Sequence, residues 1–288
     1  MRQEIQRNRA ESFRERHSDA ADGPLVLPNA WDAASAIVYE TLGFAAVGSS
    51  SAGVAASLGL PDGEVVGRDE MLAAVGRMAD AVDLPVSADV EAGYGDGPEA
   101  VAETVRLTIE AGAVGVNLED GTGDPDDPLV DVETHAAKIR AAREAAEEAG
   151  IPLAINGRTD VFWSEVGDGA DRVARTVERA NAYREAGSDC LFVPGVTDPE
   201  EIEALVDGID GPINVLGGPG APSVPELGNL GVARVSVGSG PMRATLVHLR
   251  DVGEELREDG TYGGMENAIP YGDLAELLRG RVDHGADE

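Results

Sequence analysis

Residues 85–119 read PVSADVEAGYGDGPEAVAETVRLTIEAGAVGVNLE. Two short apolar runs, Pro85–Glu91 and Gly112–Glu119, flank an amphipathic stretch, Glu99–Ala111. Near-continuous apolar runs are the pattern of strands buried on both faces. The stretch between them has helical periodicity and stops at Gly112, a residue that ends helices readily. This is one strand-helix unit feeding the next strand. The pattern recurs in Leu25–Ala30, Ala45–Ser50, Pro152–Arg158, Cys190–Val196, Pro212–Gly218 and Arg234–Gly240. Helical patterns lie between most of them, clearest at Val132–Ala149, Asp171–Ala186 and Pro199–Val206, the last opened by Asp198-Pro199. Eight such units in about 220 residues predict an α/β fold, a (β/α)8 TIM barrel. A doubly wound open sheet would carry a glycine-rich phosphate turn after its first strand. Here that strand ends in Pro28-Asn29-Ala30-Trp31-Asp32, so the barrel is preferred.

The expected barrel core spans about 25–240, within a single domain covering 1–288. C-terminal helices occupy 241–288: Met242–Leu256 and Tyr271–Arg279 read as helices joined by the glycine-rich link Tyr262–Pro270. They lie beyond the eighth strand, where packing on a neighbouring subunit is the expectation.

The 288 residues are 42% hydrophobic, enough to bury a substantial core. Lys+Arg total 22 and Asp+Glu 54, a formal net charge of −32. Such a chain repels nucleic acid and anionic membrane, which both need facing positive charge. The acid is spread evenly and lysine is nearly absent, as in a halophilic surface whose self-repulsion is screened by salt. Cys190 is the only cysteine, which excludes an intrachain disulfide or a CxxC metal site. The start, MRQEIQRNRAESFRERH, is charged and helix-like with no apolar signal core, and no long apolar run follows. A cytoplasmic, soluble protein is expected.

Barrel enzymes gather function at the C-terminal ends of their strands. Asp89 and Glu91 stand two apart on one strand and therefore face one side. Glu119 closes the adjacent strand. Three carboxylates at one barrel mouth repel each other unless a cation sits among them, and a hard divalent ion such as Mg2+ suits oxygen ligands. The plain alternative is solvated acid in an acid-rich chain. Arg158 follows a buried strand, and its planar fork suits a carboxylate or phosphonate, or an ion pair with Glu119 or Asp160. Ser49, Ser50 and Ser51 with Gly53 offer amides and hydroxyls to an anion, or form an ordinary turn. Trp31 is a candidate wall of the site. Trp163, His135, His248 and Cys190 read as packing or surface residues.

Five segments together resemble the isocitrate lyase/phosphoenolpyruvate mutase superfamily: LPNAWD (27–32), SLGLPD (57–62), DVEAGYG (89–95), VNLED (116–120) and NGRTD (156–160). The resemblance runs from about Leu25 to Ser239. It implies a (β/α)8 barrel with its eighth helix swapped between subunits of a homodimer or homotetramer. It also implies Mg2+, with Mn2+ as the alternative, and substrates that pass through an enolate. By the same resemblance Asp89 is the principal metal aspartate, Glu91 a second metal acid, and Glu119 a ligand through water. Arg158 contacts the substrate, and the Ser49–Ser51 loop holds its carboxylate. Asp62 sits on a gating loop, with Gly53–Arg68 as a lid.

The departures narrow the function. The cysteine lyases of the superfamily carry Lys-Lys-Cys-Gly-His after the fourth strand, where this chain has Gly121-Thr-Gly-Asp-Pro-Asp-Asp-Pro128. They also place a glutamate where this chain has Phe192-Val193-Pro194-Gly195. The expected activity is a Mg2+-dependent lyase that cleaves a C–C bond in a small 2-hydroxy or 2-oxo carboxylate, of 2-methylisocitrate or oxaloacetate type, and releases pyruvate or a related oxo acid. Phosphonate chemistry, as a mutase or hydrolase acting on a P–C bond, is the first alternative, and a non-catalytic metal-binding scaffold the second. A dianionic phosphonate calls for more cations at the mouth than the sequence displays.

Overall fold

The structure, a computed structural model, describes residues 2–17 and 23–279. The end of the C-terminal segment 241–288, from residue 280 on, lies outside the described residues.

The expected strands form, and every named pairing between them is parallel. Leu25–Ala30 differs from expectation by being two segments, β1 (Leu25–Leu27) and β2 (Asn29–Ala30). Pro28 has no N–H to give a ladder, so it interrupts the strand. β1 pairs with β9 (Arg234–Ser236) and β2 pairs with β3 (Val47–Ser49). Between them run β4 (Val86–Asp89), β5 (Gly115–Glu119), β6 (Ala154–Arg158), β7 (Cys190–Val193) and β8 (Ile213–Leu216). One short stretch thus joins both ends of the sheet and closes the ring. The Asn29 side chain stitches that seam: Nδ2 donates to the Ser49 carbonyl at 2.7 Å, and Oδ1 accepts from the Val237 and Gly238 amides at 2.9 Å each. A Cβ on Gly48 would come within 2.9 Å of Asn29 Nδ2, so the seam needs glycine there.

The outer helices follow their sequence signals. α2 (Ala33–Thr41), α6 (Val132–Glu148) and α8 (Pro199–Gly208) are capped by Asp32, Asp131 and Asp198, whose carboxylates accept first-turn amides. α3 (Ser51–Ser57), α4 (Arg68–Ala81), α5 (Pro98–Glu110), α7 (Gly169–Glu185) and α9 (Val224–Asn229) complete the layer. α10 (Gly240–Glu258) and α11 (Tyr271–Arg279) follow the last strand and leave Leu246, Leu249 and Tyr271 exposed. Among the described residues no helix is long and apolar enough to cross a membrane.

The N-terminal helix α1 (Arg2–Glu15) closes the floor of the barrel. Gln6 Nε2 donates to the carbonyls of Ile109 and Ala113, just ahead of β5, and Arg14 pairs with Asp189, just ahead of β7, at 2.6 Å. Phe13 and Ala10 are fully buried, and Phe13 fills the space that the missing side chain of Gly115 leaves.

Two histidines are buried in this frame. His135, on the inner face of α6, meets Tyr183 edge-on at 4.6 Å and neither ring nitrogen has a hydrogen-bond partner. Burial lowers its pKa from 6.5 to about 4. His17, behind Phe13, is lowered to about 4 for the same first reason. A group lowered on folding contributes stability above its unfolded pKa and loses it as pH falls toward the folded one. The unfolding free energy should therefore drop between pH 6.5 and about 4. His135→Phe should flatten that slope by up to about 1.4 kcal/mol per pH unit, measured by urea unfolding across a pH series. An unchanged slope would contradict a neutral, buried imidazole.

Candidate active site

A cavity of about 140 Å3 opens at the C-terminal ends of the strands. Ser49, Ser50, Ser51, Asp62, Asp89 and Arg158, all expected from the sequence, line it. The spacing of two explains why. Ser87 and Asp89, Asn117 and Glu119, and Asn156 and Arg158 are pairs on one face of their strands, and that face is the barrel interior.

Asp89 is held in a socket. Its Oδ2 accepts from the Ser51 amide at 2.9 Å and the Ser51 hydroxyl at 2.7 Å, and its Oδ1 accepts from Asn117 Nδ2 at 3.0 Å. The Asp89 amide donates to Ser49 Oγ at 2.8 Å. Ser50 caps α3, its hydroxyl accepting from the Gly53 amide. The serines line the cavity, but the donors of Ser51 face a protein carboxylate. Asn117 in turn accepts from Asn156 Nδ2 at 3.0 Å, so the chain of side chains descends into the barrel.

Arg158 realises the ion-pair reading on both sides at once. Nη1 meets Glu119 at 2.5 Å, while Nε and Nη2 meet Asp160 at 2.6 and 2.9 Å. Burial opposes its charge, and the two carboxylates more than reverse that. Three of its five N–H donors are engaged by these contacts, and the guanidinium also lies over the Phe192 ring. Asp160 is positioned from behind by Asp120, fully buried, whose Oδ1 accepts the Asp160 amide at 2.8 Å. Asp120 Oδ2 accepts from Arg179 at 2.9 Å and from the Tyr183 hydroxyl at 2.7 Å.

Glu91 turns away from the cavity. Its carboxylate accepts the Glu64 amide at 2.5 Å and the Tyr94 hydroxyl at 3.2 Å, and Glu64 in turn accepts the Tyr94 amide at 2.8 Å. All three residues have left-handed backbones, with φ of 57°, 50° and 58° at Glu64, Glu91 and Tyr94. Such strain persists only where the surroundings hold it. Burial first, and then Asp89 and Asp62, push the Glu91 carboxyl up to about 7, against the pull of the Glu64 amide. Asp62 is also raised, by burial and by Asp89. The expected lid, Gly53–Arg68, divides: Gly53, Val54 and Ala55 are buried in α3, while Leu58, Leu60 and Val65 are exposed beyond it.

Trp31 does not line the cavity. Its amide donates to Ser35 Oγ, and its Cβ lies 3.1 Å from where a Cβ on Gly53 would stand, so it packs at the base of α3. Trp163, Phe192 and Leu216 supply the apolar wall instead. The sequence reading also passed over Asn29, Asn117 and Ser236. Their signal was available: a polar residue inside an apolar strand.

Among the described residues, no three acidic, histidine or cysteine side chains gather closely enough to clasp an ion by themselves. The donors fit a hydrated one. A carboxylate offers about four lone-pair positions, and Asp89 uses three of them in its socket. One remains for a cation, and Glu91 and Glu119 both lie within electrostatic range of Asp89. Mg2+ characteristically keeps several waters beside one or two carboxylates.

The sequence profile of the phosphoenolpyruvate phosphomutase family matches residues 13–257. The chain belongs to this family, within the isocitrate lyase/phosphoenolpyruvate mutase superfamily. An uncharacterised protein of Mycobacterium tuberculosis (strain H37Rv) is 37% identical over 93% of this chain and 96% of its own. The 2-methylisocitrate lyase of Escherichia coli K12 is 34% identical over 67% of this chain and 64% of its own. A crystal structure of a candidate lyase/mutase from Burkholderia cenocepacia J2315 superposes with a TM-score of 0.88, at 40% identity, over 95% of this chain and 96% of that one. The chain is therefore an enzyme of a superfamily of lyases and mutases.

Asp120 supports Asp160, and through it Arg158. Asp120→Ala leaves the Arg179 guanidinium and the Tyr183 hydroxyl without their buried acceptor, and should destabilise the fold by about 3–5 kcal/mol, read from denaturant unfolding. A loss below about 1 kcal/mol, the surface-pair range, would contradict the network.

Proposed function

We propose that this enzyme is a Mg2+-dependent lyase that cleaves a C–C bond in a small 2-hydroxy or 2-oxo carboxylate and releases pyruvate or a related oxo acid. The observation that carries the reading is the juxtaposition in one cavity of Asp89, a charged Arg158 with donors to spare, and Asp62 with raised proton affinity.

The residues divide the work. Asp89, with Glu91 and Glu119 through water, would hold the metal, which when bound supplies Lewis-acid stabilisation of charge on a substrate oxygen. Arg158 is clamped in one orientation, so its remaining N–H donors face developing negative charge without reorganising. Asp62 is the candidate acid/base: with a 2-hydroxy acid it takes the hydroxyl proton as the C–C bond breaks, and the electron pair leaves on the departing carbon as an enolate. That enolate then takes a proton back. The exposed half of the lid would exclude water while the enolate lasts. The segment 121–128 holds no cysteine, lysine or histidine, so the acid/base must come from elsewhere, and Asp62 lines the cavity.

One observation favours P–C chemistry as the second reading. Arg234 and Arg243 line the cavity beside Arg158, more cations than the sequence suggested. Arg158 is already neutralised by two carboxylates, Arg243 is exposed, and Arg234 offers a single charge against a dianion's two, so C–C cleavage keeps first place. A homo-oligomer is part of the same proposal, supported by the apolar residues that α10 and α11 leave uncovered.

Pyruvate release should be assayed with Mg2+ in high salt from oxaloacetate, 2-methylisocitrate, 2,3-dimethylmalate and phosphonopyruvate. The reading expects release from one of the first three, and a loss in Arg158→Lys of about 100-fold or more in kcat/KM from the misplaced fork. Release from phosphonopyruvate alone would overturn it in favour of P–C cleavage.

A further inference from the structure

Arg234 opens β9 at the deep end of the cavity. Its side chain is almost fully buried, at 3% exposure, and still lines the cavity wall. The cavity reaches it because Gly48, Ser87 and Ser236 are small where barrel interiors usually stack valine, isoleucine and leucine.

Three half-buried arginines of the barrel have carboxylate partners. Arg158 has Glu119 and Asp160, Arg143 has Asp189, and Arg179 has Asp120. Arg234 has none among the described residues. It lies over the Phe13 ring at 5.9 Å, and Nη1 meets His17 Nε2 at 3.3 Å. Burial keeps that imidazole neutral, so it offers a lone pair and no charge. Nε has no hydrogen-bond partner at all. A buried cation without a counter-charge is unfavourable, and a buried donor without an acceptor adds to it. Among the described residues, no acidic side chain pairs with this guanidinium.

We propose that Arg234 is an anion subsite at the floor of the cavity. It takes a compact carboxylate-like anion: the distal carboxylate of a dicarboxylic acid whose other end lies at Asp89 and Arg158, or a small free anion such as chloride in the same place. Asn214 and Ser236, joined to each other by hydrogen bonds beside Arg234, are the neutral polar neighbours of the subsite. The inference rests on the reading of this cavity as the substrate site, and not on which bond is broken.

Calorimetry on the full chain with Mg2+ at fixed ionic strength provides the test. L-malate and 2-hydroxybutyrate differ only in the distal carboxylate. The wild type should bind malate about tenfold tighter or more, the range of one charge-assisted contact. Arg234→Met should abolish that preference and leave 2-hydroxybutyrate affinity unchanged, a split that loss of packing on Phe13 would not produce. If the resident is a free anion, the two acids bind alike. Exchanging gluconate for chloride then raises the wild-type melting temperature and leaves that of Arg234→Met unmoved. The proposal is overturned if the wild type shows neither preference nor chloride effect, or if folded Arg234→Met keeps whichever the wild type shows. The wild-type measurements decide even if the methionine variant fails to fold, and Arg234→Lys, which keeps the charge, should then retain part of the effect. These readouts need no turnover. Pyruvate release without the preference or the chloride effect removes the subsite alone, and the preference without release removes the reaction alone.

Discussion

Eight parallel strands form a barrel only if the first can pair with both its neighbour and the last. Here that constraint falls on six residues. Pro28 breaks the ladder between Leu27 and Asn29, which lets β1 run beside β9 and β2 beside β3. Asn29 then ties β3 to the end of β9 through both ends of its amide. The seam sets the position of Ser49, whose hydroxyl takes the Asp89 amide, and Ser51 two residues on grips the Asp89 carboxylate. The site therefore depends on a closure made on the opposite side of the cavity from Arg158.

The second determinant is charge. The cavity mouth collects acids that repel one another, and the fold answers with guanidinium groups where it can: Arg158 between Glu119 and Asp160, and Arg179 behind Asp120. Asp89, Asp62 and Glu91 receive only amides and hydroxyls from the protein. Burial and neighbouring carboxylates raise Asp62 and Glu91, and a cation among the three would relieve that repulsion. At the other end of the same cavity, Arg234 is a cation with no acid paired to it among the described residues. The interior thus has a negative rim and a positive floor, a polarity suited to an anion with one end at a metal and the other within the barrel.

Much of this was legible in the sequence. The apolar runs gave the strands to within a few residues, because burial on both faces leaves little choice of side chain. Asp89, Arg158 and the serines come together at one cavity because they stand at the C-terminal ends of such strands. The turn of Glu91 toward Glu64 was not legible: it follows from a left-handed backbone that a glutamate rarely adopts. Trp31 and Trp163 were exchanged for a related reason, since spacing places a residue at a strand end without saying which way a loop carries its ring. Arg234 was missed because an arginine at the start of a strand reads as surface until the helix α1 is seen to cover that end. These are tertiary facts, set by partners from about 20 residues away, as for Trp31 and Glu91, to more than 200, as for Arg234.

The proposed reaction depends on Asp89 being the direct protein ligand of a divalent cation. Crystals soaked with Mn2+ and examined by anomalous diffraction address it directly, because Mn2+ substitutes for Mg2+ and marks its own position. An anomalous peak is expected in contact with the Asp89 carboxylate, with Glu91 and Glu119 reaching it through water. A peak elsewhere in the barrel, with the Asp89 carboxylate bound only by Ser51 and Asn117, would contradict it.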